Sequence, residues 1–171
     1  MARDDDLTGA RGPRLAHVAI TVPDLAAAVA WYAEALGLRP LPERVESSVH
    51  ERPRLRPVLD EVYDAACEEF RVAFLVDGDS VAVELFEFDG GKGWKLPGSW
   101  QYARAGLSHL GFLVVDVDAA AGRIVAAGGR RRTRSMSAGG DGEWRFCFCE
   151  DPYGTVIELQ SHSQEEMYGG R

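Results

Sequence analysis

Four side chains in this sequence have the chemistry to hold a metal ion and to move a proton: His17, Glu84, His109 and Glu158. Each lies in an apolar run: LAHVAITV, VAVELFEF, LSHLGFLVV and GTVIELQ respectively. In a strand, alternate side chains share a face. His17 then lies with Ala19 and Thr21, Glu84 with Ala82 and Phe86, His109 with Leu107 and Gly111, and Glu158 with Val156 and Gln160. A carboxylate buried alone on such a small or apolar face is costly. Two carboxylates and two imidazoles around one dication remove that cost, because the negative charges neutralise the ion. The set suits Ni, Co, Zn, Mn or Fe(II), and the residue types do not choose among them.

Taken singly, any of the four is more often a structural or surface group than a ligand. Duplication favours the ligand reading. Displaced by 92 residues, Ala16-His17-Val18-Ala19-Ile20 falls on Ser108-His109-Leu110-Gly111-Phe112, and Asp24 falls on Asp116. Displaced by 74, Val83-Glu84-Leu85 falls on Ile157-Glu158-Leu159, and Asp77 on Asp151. One His and one Glu therefore recur at equivalent places in two copies of one unit. The offsets differ by 18 residues, a surplus that the first copy carries within 40–69.

The elements that must position these groups follow the same order twice. A short apolar run (15–22, 107–115) reads as a buried strand. Asp24, and Asp116 or Asp118, stand where a helix start needs a side-chain acceptor. The first helix carries Leu25, Val29, Tyr32 and Leu36 on one face, and Gly37 and Gly128-Gly129 end the two helices. Two hairpins follow, 70–76 with 81–88 and 144–149 with 155–160, turned by Asp77-Gly78 and Asp151-Pro152-Tyr153-Gly154. A further strand per unit is expected after each helix. The expectation is an α+β fold of two tandem βαβββ units: a leader at 1–13, the first unit at 14–89, a connecting loop at 90–106, the second unit at 107–162 and a mobile tail at 163–171. Within the surplus, 58–66 has the periodicity of a short amphipathic helix, and the connecting loop carries Trp94, Trp100 and Tyr102.

Composition excludes several classes. A net charge of −8 argues against nucleic acid or an anionic membrane as partner. No apolar run reaches the roughly 18 residues of a membrane span, and the start lacks the apolar segment of a secretory signal. Three cysteines without CxxC spacing argue against a disulfide framework and a thiolate zinc site. Cys147 and Cys149 read as buried, reduced thiols, and a cytoplasmic location follows. Arg130, Arg131, Arg132 and Arg134 could grip the carboxylates of a thiol cofactor or the phosphates of a CoA ester, although such a run is more often a solvated turn.

LAHVAITVPDLAAAVAWYAEALGL, VAVELFEF, LSHLGFLVVDVDAA and EDPYGTVIELQSH together resemble the vicinal-oxygen-chelate superfamily of glyoxalases, bleomycin resistance proteins and extradiol dioxygenases over residues 14–162. The resemblance implies a curled mixed-sheet cup around one divalent metal, open to two neighbouring oxygens of a small substrate. Its His-Glu-His-Glu set looks most like glyoxalase I; extradiol dioxygenases and fosfomycin-type transferases lack an acid at the Glu84 place, and epimerases commonly have Gln there. The implied reaction is lyase or isomerase chemistry, proton transfer next to a carbonyl through a metal-bound enediolate. Glu158 would be the base and Glu84 would return or guide the proton, with a thiol co-substrate left open. A metal-dependent epimerase, a dioxygenase and a binding module without turnover are the alternatives. A homodimer is expected, or else a monomer with both units packed in one chain, with the site either within one chain or shared between two.

Overall fold

The computed structural model describes residues 15–42, 45–48, 69–78, 81–88, 105–137 and 144–168. The leader, the 58–66 segment and all but the last two residues of the 90–106 loop lie outside the described residues.

Both units form as the repeat predicts. In the first, β1 (His17–Thr21) leads through α1 (Leu25–Leu36) to β2 (Arg39–Pro40), β3 (Val45–Ser48), β4 (Glu69–Val76) and β5 (Ala82–Phe88). In the second, β6 (Leu110–Leu113) leads through α2 (Val117–Ala126) to β7 (Arg130–Arg131), β8 (Met136–Ser137), β9 (Arg145–Glu150) and β10 (Val156–Gln160), and α3 (Gln164–Tyr168) follows. The sheet orders match: β1-β5-β4-β2 with β3 on β4, and β6-β10-β9-β7 with β8 on β9. Both sheets are mixed, β1 with β5 and β6 with β10 being parallel and the other pairs antiparallel.

The strand expected after each helix is present but broken in two at the same place. From Pro40 to Val45 the chain advances five residues while its partner moves three, Leu75 to Val72. From Arg131 to Met136 it again advances five against three, Cys149 to Phe146. In each copy the outer strand thus gains two residues on its partner between its two pieces. The surplus of the first copy falls between β3 and β4.

Side-chain alternation sorts each sheet into two faces. Ile20, Leu75, Val83 and Leu85 pack under α1, and Cys147, Cys149, Ile157 and Leu159 under α2, all in one shared core. Asp24 caps α1 by accepting from the Ala27 N–H at 2.9 Å, and Asp116, rather than Asp118, caps α2 through the Ala119 N–H at 2.9 Å. Glu87 points to the same side and accepts from the Leu25 N–H at 2.7 Å, so a buried carboxylate of β5 adds to the α1 cap. The two units meet through α1 and α2, and the Tyr32 hydroxyl donates to Asp151 at 2.8 Å across that contact. Where the sequence suggests a mobile tail, residues 163–168 close a helical turn. Ser163 Oγ accepts from the Glu166 N–H while Glu166 accepts from the Ser163 N–H, a reciprocal capping box.

The glycines after α2 do two different jobs. Gly128 has φ of +88° with open space around it, whereas a Cβ on Gly129 would stand 2.6 Å from the Glu150 carbonyl oxygen. Gly128→Ala should cost about 1 kcal/mol of backbone strain. Gly129→Ala should cost about 2–3 kcal/mol, because helix and strand must separate. Urea unfolding of both variants checks this, and a smaller loss for Gly129→Ala would refute the close-approach account.

Candidate metal centre

The faces turned away from the helices carry the candidate ligands. Parallel pairing sets Ala19 beside Glu84 and, in the second sheet, Gly111 beside Glu158. Each Glu thus has a small neighbour, which leaves room for an imidazole to lean over it. His17 Nε2 lies 3.3 Å from Glu84 Oε2, and His109 Nε2 lies 3.1 Å from Glu158 Oε2. The carboxylates are seated low, with side chains 13% and 17% exposed, and the imidazoles are more open at 51% and 30%. At Gly111 an added Cβ would meet nothing within 4 Å among the described residues, so the space beside Glu158 is open.

Two donors sharing one ion at roughly 2.1 Å stand about 3.0–3.4 Å apart for octahedral to tetrahedral angles. Both His–Glu separations lie in that interval, and imidazole with carboxylate is a donor set for the first-row divalent metals. Each half therefore offers two donors at a spacing that one such ion could bridge, half of the four-residue set. In the second half Ser108 Oγ lies 2.9 Å from His109 Nδ1, which turns Nε2 toward Glu158. Ala16 holds the corresponding place in the first half and offers no such bond.

The structure brings the four residues together as two pairs, not as one group. Among the described residues no cluster of three or more such side chains could hold a metal ion, and no described strand of one sheet contacts a strand of the other. The physical reason is the shared core. Each sheet turns its helix side toward that core, so the His/Glu faces point away from it and from each other's strands.

Sequence reasoning alone missed the aromatic character of these faces. Six of the seven phenylalanines belong to them. Phe70, Phe74, Phe86 and Phe88 share the face of Glu84, and Phe146 and Phe148 that of Glu158. Phe86 and Phe88 stack at 5.3 Å, and Phe148 meets the His109 ring edge-on at 5.5 Å. The alternation in FRVAF, LFEF and FCF carried that signal. The arginine run divides: Arg130 and Arg132 pair with Glu150, and Arg131 pairs with Asp118. Cys147 and Cys149 are free and buried, as expected. No helix among the described residues is long and apolar enough to cross a membrane.

The fold has solved relatives. A glyoxalase family protein of Bacillus cereus aligns with a TM-score of 0.68 at 18% identity, covering 90% of this chain and 97% of its own. Glyoxalase I of Zea mays aligns at 0.63 and 23%, over 88% of this chain and 45% of the maize protein. The fosfomycin resistance protein of Mesorhizobium loti aligns at 0.57 and 18%, over 94% and 100%. Among curated protein sequences none matches. Residues 16–148 match the family model described as Glyoxalase/Bleomycin resistance protein/Dioxygenase superfamily. With that match over most of its length, and twin βαβββ units each presenting a His beside a Glu, the chain belongs to this family, the vicinal-oxygen-chelate superfamily.

Proposed function

We propose that the protein is a metal-dependent, glyoxalase-like lyase or isomerase that moves a proton next to a carbonyl, and that its sites are completed between two copies of the chain. The observation that carries this reading is the pair of equivalent half-sites, His17 with Glu84 and His109 with Glu158, which do not form one cluster among the described residues. A divalent ion held by all four residues would supply positive charge to two neighbouring oxygens of a substrate. Glu158 takes the proton, and Glu84, its counterpart by the internal symmetry, returns or guides it. His17 and His109 serve as ligands only. The phenylalanines of both faces exclude water from the reacting carbon. The buried, free Cys147 and Cys149 suit a reducing cytoplasm.

A second copy is the natural partner for the β1 and β6 ends of these faces. β1 and β6 end their sheets, each with one edge unpaired among the described strands. Leu15 and Leu107 precede the two histidines by two residues and are exposed, as is Leu113 in β6. Open edges and exposed leucines invite strand-to-strand association. In a dimer, the first half-site of one chain would then meet the second half-site of its partner.

Mixing variants tests both parts. His17→Ala and Glu158→Ala should each lose metal by elemental analysis. After co-refolding at equal amounts, half the dimers are mixed and each regains one intact site. About a quarter of wild-type metal content should therefore return, together with activity. No recovery in mixed dimers separated by tag would refute sharing between chains. Full metal retention by both single variants would remove the residues from the centre.

A further inference from the structure

The second unit carries a positively charged cleft on the side of its sheet opposite Glu158. In β9, Phe148 stands opposite Glu158, whereas Cys147 and Cys149 point to α2. Arg131 is the register partner of Cys149, and Arg145 precedes Cys147 by two, so both belong to the α2 side. There Arg131, Arg132, Arg134 and Arg145, with Asp118 and Ser135, line an open cleft of about 600 Å³. Asp118, the one acid among these lining residues, is shared: Arg131 Nη2 lies 2.6 Å from one oxygen and Arg145 Nη2 lies 3.8 Å from the other. Arg132 is paired with Glu150. Arg134 is exposed and makes no ion pair or hydrogen bond among the described residues. Ser135 Oγ accepts from Arg145 Nε at 3.1 Å, which leaves its O–H free to donate into the cleft.

The charge balance is uneven for this protein. Acids outnumber bases by 27 to 19 over the chain, yet four guanidiniums and one carboxylate line this cleft. Holding Arg131 and Arg145 on a single carboxylate, with Arg134 beside them, leaves a surplus of positive charge that an anion would offset. Planar N–H forks next to a hydroxyl match the oxygens of a phosphate group. A single carboxylate ligand would leave most of the surplus in place. The volume exceeds that of one phosphate, so the phosphate belongs to a larger molecule or to a chain of phosphates.

We propose that this cleft is a second ligand site, separate from the His/Glu faces, that binds a molecule bearing two or more linked phosphates through Arg131, Arg134 and Arg145. Calorimetric titration of the full chain with inorganic pyrophosphate and with ADP, at low salt, tests it. Saturable binding of at least one probe, one per chain and weakening as salt rises, is expected. Equal affinity for both probes means that the phosphates alone are read, and tighter ADP binding means that the nucleoside also fills the cleft. Arg134 has no ion pair or hydrogen bond to lose among the described residues, so Arg134→Ala should keep the wild-type melting curve while binding about tenfold or more weakly. Arg145→Ala should weaken binding likewise, and Glu158→Gln should leave it unchanged. The proposal is overturned if neither probe saturates at millimolar concentration, if both arginine variants bind as wild type, or if Glu158→Gln abolishes binding.

Discussion

Glu158→Gln should lower turnover by about 100-fold or more while much of the metal content survives, the scale expected when a general base is lost. The amide keeps an oxygen at the place of Oε2, 3.1 Å from His109 Nε2, so the half-site retains a donor. What it loses is the ability to accept a proton. The carboxylate is well placed to do so, because it sits low on its face, faces the open space beside Gly111, and has Phe148 as its cross-strand neighbour. Glu84→Gln removes the same capacity from the first half-site, and comparing the two variants assigns the forward and return steps. The direct readout is deuterium entering substrate or product from heavy water, followed by NMR with methylglyoxal plus a thiol and with methylmalonyl-CoA. A wild-type reaction with no exchange and no primary isotope effect at that carbon would sink proton transfer as the reaction class. A Glu158→Gln protein with undiminished turnover would remove Glu158 as the base.

The parts of this arrangement legible in the sequence are those governed by short-range periodicity. Alternation fixes which side chains share a face with His17 or Glu158, and the repeat says that both halves must do the same thing. Glu84 and Glu87 show how far this goes. They are three residues apart in one strand, so they must face opposite ways, and the structure gives Glu84 to the site face and Glu87 to the cap of α1. What Glu87 caps was not legible, because its partner is 62 residues away and reached only once the sheet has formed. The matching register shifts of the two outer strands were hidden for a similar reason, since register depends on the partner strand. The turn at 163–168 had a local signal, Ser163 followed three residues on by Glu166, which the polar composition of the tail obscures. The relative placement of the two half-sites was least accessible of all. Among the described residues it rests on packing between α1 and α2 and on the Tyr32–Asp151 hydrogen bond, which spans 119 residues.

That bond is the basis of the second large effect: Asp151→Ala should destabilise the fold by roughly 3–5 kcal/mol. Asp151 is buried, and its carboxylate accepts from the Tyr32 hydroxyl at 2.8 Å, the Tyr153 N–H at 2.9 Å and the Thr155 N–H at 2.7 Å. Truncation strands three donors, two in the turn that aims β10 and one in α1. Tyr32→Phe deletes only the cross-unit bond and should cost about 1–2 kcal/mol, with Asp151 still held by two backbone N–H groups. Burial, and then the charge of Asp151, push the Tyr32 hydroxyl well above its ordinary value. A raised value means that the tyrosine's contribution is fully present below the unfolded-state value of about 10 and is lost as pH rises beyond it. The stability gap between wild type and Tyr32→Phe should therefore be constant from neutral to mildly alkaline pH and shrink above about 10. Urea unfolding across that range measures it, and a double-mutant cycle isolates the bond. If Asp151→Ala unfolds at the wild-type urea midpoint, the contact is not what joins the units. If it is destabilised and the Tyr32–Asp151 coupling is positive, the same bond that closes the core also helps hold the two His/Glu faces relative to each other.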